Sequence, residues 1–171
     1  MADGLDAIDP RKYELVLIDC PPNFNVVTKT AIVASSHVLI PAKPDYLSTL
    51  GIDYLIRALG ELVNDFNEYA DLDSDGTNGR ISPEKLGVVF TMVQEYSGEP
   101  ISTIRPFIAQ TKRLDVPVFD AYIKENKTMF ADASQYGIPV VLSSRSGPTY
   151  KSVIGGIEGF VTEFEDKIGL E

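Results

Sequence analysis

At 171 residues the chain fits a single domain with a core of its own, and its 44% apolar and 23% charged composition is that of a globular protein rather than a disordered one. The single cysteine, Cys20, excludes an intrachain disulfide and a cysteine-rich zinc site; no apolar run reaches the length of a membrane span, and the acidic Met1–Gly4 opening is unlike a secretory leader. The net charge of −10 comes from two acidic stretches, 61–84 and 158–171, outside which acids and bases balance at 13 each, so tight generic nucleic-acid binding by this chain alone is not favoured.

In chain order, strand and helix signals alternate in the manner of an α/β fold. Leu15-Val16-Leu17-Ile18 reads as a fully buried parallel strand that enters a loop at Asp19-Cys20-Pro21-Pro22. Residues 26–34 read as a short helix, and Val38-Leu39-Ile40 as a second buried strand stopped by Pro41 and Pro44. A long helix is predicted over 46–66, capped by Asp45, with Leu47, Leu50, Tyr54, Leu55, Ala58, Leu59, Leu62, Val63 and Phe66 on one face. A polar, acidic loop insertion follows over 70–83. A third strand runs from Leu86 to Met92, a helix over 99–111, a short strand from Val116 to Phe119, helical turns over 128–136, and a fifth strand over Val140-Val141-Leu142. The last helix spans about 149–168, its buried stripe formed by Val153, Ile154, Ile157, Phe160, Val161, Phe164 and Ile168. No internal repeat is present, and one domain over 1–171 is expected. On such a fold, function sits at the carboxyl ends of the strands, in the loops after Ile18, Ile40 and Met92.

Asp19 closes an apolar strand. A carboxylate there either holds a hydrated Mg²⁺ beside a phosphate, as a Walker B aspartate does, or caps the helix that follows. Pro21 and Pro22 stiffen the loop and set its exit. Asp71-Leu72-Asp73-Ser74-Asp75-Gly76 matches the opening of a calcium loop. Asn78 and Ser82 fall where such a loop needs an aliphatic residue and a bidentate Glu, so a solvated acidic loop is the better reading and Asp71, Asp73 and Asp75 form at most a weak Ca²⁺ site. His37 has no Ser or Cys partner evident for a triad and reads as a loop residue, and Cys20 reads as an inert thiol. Lys112, Arg113, Lys124, Lys127, Arg145 and Lys151 are a scatter of ordinary solvated charges.

Five blocks in order resemble the ParA/Soj/MinD family of deviant Walker A ATPases: Tyr13-Glu14-Leu15-Val16-Leu17-Ile18-Asp19-Cys20-Pro21-Pro22; Thr30-Ala31-Ile32-Val33-Ala34-Ser35; Val38-Leu39-Ile40-Pro41 with Ser48-Thr49-Leu50-Gly51-Ile52; Leu86-Gly87-Val88-Val89-Phe90-Thr91-Met92; and Asp132-Ala133 with Gly137-Ile138-Pro139-Val140-Val141. The resemblance covers about residues 13–168 and implies a mostly parallel sheet flanked by helices, as in P-loop NTPases. It implies that Asp19 is the Walker B acid, reaching Mg²⁺ through water, that Pro21 and Pro22 lie in the switch II loop that senses the γ-phosphate, and that Met92 and Asn126 lie near the adenine. The family's Pro-Arg-Asn is not present near Lys124–Lys127, and counting back from Gly137 puts Lys127 opposite its Asn, one residue from Asn126. The family's Lys-Gly-Gly-x-Gly-Lys-Thr/Ser loop has no counterpart: only 12 residues precede Tyr13, without a Gly-rich turn.

The resemblance therefore implies the C-terminal part of a ParA-like partition ATPase, with the first strand and the Walker A loop missing, and with this chain alone inactive. The full enzyme would use ATP and Mg²⁺ in chromosome or plasmid partitioning. It would form a homodimer, bind DNA non-specifically as that dimer, answer to a ParB-like centromere-binding protein, and reside in the cytoplasm on the nucleoid. The acidic C-terminal helix is unlike the basic membrane helix of MinD-like members, so no membrane partner is expected. A non-catalytic module that binds a homologous ATPase or partner protein is the alternative. With its central strand gone, the isolated chain is expected to be less stable, rearranged, or completed by another copy.

Overall fold

The computed structural model describes Asp9 and residues 11–72, 79–144 and 146–170. It divides into two compact units, Met1–Val38 with Tyr54–Lys85, and Leu39–Asp53 with Leu86–Glu171. The elements in chain order are α1 (Val26–Val33), β1 (His37–Ala42), α2 (Tyr46–Leu72), β2 (Glu84–Phe90), a hairpin of β3 (Glu95–Tyr96) and β4 (Glu99–Pro100), α3 (Arg105–Thr111), α4 (Lys127–Tyr136), a 3-10 turn (Val140–Leu142) and α5 (Pro148–Ile168). The architecture is α/β, a parallel sheet with helices. Among the described residues no helix is long and apolar enough to cross a membrane.

β2 is the spine of the sheet. On one edge it pairs with β1. Glu84 N–H donates to Ser36 O at the start of that pair (2.8 Å) and Thr91 N–H to Ala42 O at its end (2.8 Å), so the strands run the same way. On the other edge Val88 N–H donates to Pro117 O (2.8 Å), Phe119 N–H to Val88 O (2.9 Å) and Ile123 N–H to Phe90 O (2.9 Å). The bridges Val88–Val118 and Val93–Lys124 are parallel. A strand paired on both edges and covered on both faces has no place for polar side chains, and every residue from Leu86 to Phe90 is buried. Gly87 is required at its place: its φ is +132°, and a Cβ there would stand 2.7 Å from Pro117 O.

In the second unit Leu86, Val89 and Phe119 form a core against Leu39 and the α5 residues Phe160, Phe164 and Ile168. Each such buried side chain contributes roughly 1.5–3 kcal/mol. The Phe119 and Phe160 rings are tilted at 5.4 Å between centroids, and Glu163 of α5 accepts from the Asp120 and Ala121 N–H groups at 3.0 Å. A second cluster joins Met129 of α4, Val140, and Val153 and Ile154 of α5.

Several expectations need correction. Leu15–Ile18 forms no strand; Leu15, Val16 and Leu17 are 42%, 48% and 76% exposed. Val140–Leu142 is a 3-10 turn in which only Val140 is buried, because Pro139 offers no N–H and its carbonyl instead accepts from Leu142 N–H (2.9 Å). The helix expected from 99 begins at Arg105. Ahead of it Ser97 and Gly98, both at positive φ, turn the two-residue β3–β4 hairpin, as a type I′ turn requires. Residues 116–119 contribute a single bridge rather than a strand. α2 continues to Leu72, and its first apolar residues, Leu47, Leu50 and Tyr54, face outward, as does Val161 on α5. Close packing of α5 against the 121–124 segment falls at Gly156, whose added Cβ would lie 2.9 Å from Tyr122 O.

Gly87→Ala is expected to cost about 3 kcal/mol, from the positive φ and the collision with backbone together. A urea titration checks this, and a loss below about 1 kcal/mol would contradict the close approach of β2 to the 117–119 segment.

Candidate functional site

The residues singled out in the sequence fall in both units. Asp19, Pro21 and Pro22 belong to the first. Asp19 is exposed at the end of the unpaired Leu15–Ile18 run. It does not cap α1: Asn25 does, its side-chain oxygen accepting from Val27 N–H (3.0 Å) and Thr28 N–H (3.2 Å). Among the described residues nothing pairs with Asp19, so its carboxylate is free for a ligand. One carboxylate suits Mg²⁺, which keeps several waters and takes one or two carboxylates plus phosphate oxygens. No group of three or more His, Cys, Asp or Glu that could hold a metal exists among the described residues. Pro21 O accepts from Asn23 N–H (2.8 Å), a tight turn that fixes the loop's exit. Cys20 is half-buried, its thiol directed at Ile18 O (3.7 Å).

Met92 and Asn126 belong to the second unit, and the structure brings them to one edge. Val93 N–H donates to Ile123 O (3.1 Å) and Glu125 N–H to Val93 O (2.9 Å), so the segment ending at Asn126 runs beside the end of β2. Met92 has φ +55°, a strained conformation for a side chain of its size, and is 53% exposed. Asn126 caps α4, its oxygen accepting from Met129 N–H (3.1 Å), which leaves its amide N–H₂ as the donor it can offer.

A polar network beside this edge escaped the sequence reading. Glu95 on β3 pairs with Lys124 Nζ (2.9 Å) and accepts from Tyr122 OH (2.6 Å), and Lys124 Nζ also donates to Ser152 Oγ on α5 (2.8 Å). Gln94 donates to Glu125 (2.6 Å). Burial raises the Glu95 carboxyl pKa, but the hydrogen bonds from Lys124 and Tyr122 and the Lys124 charge outweigh it and hold the carboxyl below its usual value. Burial, and then the Glu95 hydrogen bond and charge, push the Tyr122 phenol up to about 12. The only sequence signal was the alternation of Tyr122 and Lys124 on one side of a short extended segment.

The remaining candidates resolve simply. Asp71 forms an ion pair with Arg80 (2.6 Å), while Asp73 and Asp75 lie outside the described residues. His37 Nδ1 meets Ser36 Oγ (2.9 Å), a serine partner the sequence reading did not anticipate, and its Nε2 lies 3.8 Å from Glu84. Lys112 pairs with Asp120 (3.4 Å), Lys124 with Glu95 and Lys127 with Glu125 (3.8 Å).

The fold that carries these residues is an α/β one, a parallel sheet with helices. The chain is 28% identical over 145 residues to the chromosome partitioning protein ParA of Caulobacter vibrioides, covering 83% of this chain and 47% of that one. It is 25% identical over 139 residues to the sporulation initiation inhibitor protein Soj of Bacillus subtilis, covering 81% and 48%. The family model described as AAA domain matches residues 1–72. The fold matches that of Cyanothece McdA in its ATP complex with a TM-score of 0.56 at 16% identity, over 82% of this chain and 45% of McdA. The chain is similar to ParA and Soj partition proteins over most of its own length, and it spans about half the length of the curated relatives it matches.

Because the Glu95 pKa is depressed on folding, its contribution to stability is present above the ordinary value of 4.5 and is lost as pH falls through the lowered one. For Tyr122 the neutral phenol is favoured, so its contribution is present below 10.0 and is lost as pH rises toward about 12. Glu95→Gln is expected to lower the Tyr122 titration from about 12 yet leave it above 10.0, since burial persists. Difference titration of phenolate absorbance against Tyr122→Phe measures this, and an unchanged midpoint would contradict the pairing.

Proposed function

We propose that this chain supplies the magnesium-side and adenine-side walls of a ParA-like Mg-ATPase that partitions chromosomes or plasmids. Asp19 orients a hydrated Mg²⁺, the Pro21-Pro22 loop links the state of the phosphates to a dimer face, and Met92 and Asn126 flank the base. Bound ATP with Mg²⁺ supplies the phosphoryl chemistry. The partners of the complete enzyme are a second copy, a ParB-like centromere-binding protein, and DNA bound non-specifically by the dimer, in the cytoplasm on the nucleoid. The ion pairs made by Lys112, Lys124 and Lys127 leave DNA contact dependent on the dimer rather than on a basic stripe of this chain. The observation that supports the reading is the parallel bridge Val93–Lys124 just past the end of β2, next in sequence to Met92 and two residues before Asn126.

A second reading rests on one fact of sequence. No Gly-x-x-x-x-Gly-Lys-Thr/Ser occurs in the 171 residues, so the chain has no phosphate cradle of its own. It would then be a non-catalytic module that engages a homologous ATPase or another partner protein.

Calorimetric titration of the chain with adenosine, ADP and Mg-ATP separates the two readings. The first expects all three to bind with Kd on the order of 1 mM and within about threefold of one another, with Met92→Asp weakening each about tenfold. Absence of binding by all three would favour the non-catalytic module. ATP binding about 100-fold tighter than adenosine would contradict the missing cradle.

A further inference from the structure

The segment 119–125 is held only in part by its ladder bonds. The Phe119 and Ile123 N–H groups donate to β2 and that of Glu125 to Val93 O, while those of Asp120 and Ala121 go to Glu163 of α5. α5 follows the segment from residue 119 to 124, running the opposite way. Glu163 meets residues 120 and 121, and Phe160 packs on Phe119. A Cβ added at Gly159 would lie 3.8 Å from Ala121 Cβ, one at Gly156 would lie 2.9 Å from Tyr122 O, and Ser152 Oγ accepts from Lys124 Nζ (2.8 Å). Ser152, Gly156, Phe160 and Glu163 recur at helical spacing, so one face of α5 is given to this segment.

Glu95 grips the same segment from β3. One of its carboxylate oxygens accepts from Tyr122 OH (2.6 Å) and the other pairs with Lys124 Nζ (2.9 Å), and residues two apart lie on one side of an extended chain. Lys124 joins the two grips, because its ammonium reaches both Glu95 and Ser152. The Lys124 and Glu95 side chains are 21% and 15% exposed, so this charge is withdrawn from solvent, with two of the ammonium's donors already committed. Sliding the segment along β3 or α5 would break these bonds and strand the Glu95 carboxylate without its partners, a costly state. The place of residue 124 is therefore sharply set, and Asn126, the cap of α4, follows two residues on.

We propose that Lys124 is a positioning residue for Asn126. Held between Glu95 on β3 and Ser152 on α5, it sets where the segment ending at Asn126 stands past the end of β2, and so where the Asn126 amide is offered. One face of α5 thereby governs the base-side edge of the site. That Asn126 meets a base rests on the nucleotide reading above; that Lys124 places it does not.

Amide NMR spectra of the isotope-labelled chain read the place of Asn126 through its own side-chain signals and through the Met129 N–H that it caps. Ser152 is exposed and alanine favours helix, so Ser152→Ala keeps the fold. Ser152→Ala and Glu95→Gln, both remote in sequence from Asn126, are expected to move these signals while the Thr28 amide, capped by Asn25 in the other unit, stays in place. Ser152→Thr, which keeps the hydroxyl, should restore them. In a Lys124→Met background Ser152→Ala should move them no further, because the route runs through Lys124. Adenosine titrated into the same samples is expected to bind Ser152→Ala about threefold or more weaker than it binds the unsubstituted chain or Ser152→Thr. Unmoved Asn126 and Met129 signals in Ser152→Ala and Glu95→Gln would overturn the proposal. So would an equal further shift from Ser152→Ala in the Lys124→Met background, or adenosine affinity unchanged by Ser152→Ala. Adenosine binding by no sample, the unsubstituted chain included, would overturn the nucleotide reading alone, and the NMR signals would still decide the role of Lys124.

Discussion

The backbone bonds that β2 makes on both edges are the constraint on which the described structure depends. With β1 on one side and the 117–123 segment on the other, the strand has to be apolar throughout, and Leu86-Gly87-Val88-Val89-Phe90 is. The approach of Pro117 O to Gly87 leaves room for no side chain there, and Val88, 0% exposed, both donates to and accepts from the neighbouring segment. The same pairing continues past the end of β2 into the Val93–Lys124 bridge, and so fixes where Met92 and Asn126 stand. Glu95, Tyr122, Lys124 and Ser152 then tie β3, this segment and α5 into one polar network at that edge.

Elements whose partners lie within the chain were legible from its residues. β1, β2, α1, α4 and α5 appear within about three residues of their expected bounds, because periodicity and burial agree there. The resemblance to ParA-like proteins was legible for the same reason, as it rests on those blocks in order. Leu15–Ile18 and Val140–Leu142 were misread as strands because an apolar run records only a preference for burial, while strand structure needs a ladder partner. For the first, the described residues provide none; for the second, Pro139 directs the chain into a 3-10 turn. The β3–β4 hairpin was hidden under a helix expectation, although Ser97-Gly98 was a usable turn signal.

The candidate site was legible in part. Asp19 could be read as a cap or a ligand from sequence, and Asn25 takes the cap. Asn126 caps α4, and the parallel bridge Val93–Lys124 runs the segment that ends at Asn126 past the end of β2. Of the Glu95–Lys124–Tyr122 network only the Tyr122, Lys124 alternation shows in the sequence, because Glu95 lies 27 residues before Tyr122 and no periodicity links it to them. The acidic balance also changes meaning in three dimensions. Several bases that read as a scatter of solvated charges are held by acids.

The chain holds a firmly paired spine at β2 and an unpaired, non-strand segment at Leu15–Ile18. Residue-resolved native-state hydrogen exchange on the chain by itself tests it most directly. The account predicts that the Val88, Phe119 and Ile123 amides are among the slowest to exchange, while those of Leu15 to Ile18 exchange near the rate of an unstructured chain. Protection of Leu15 to Ile18 comparable to that of Val88 in the monomer would contradict it.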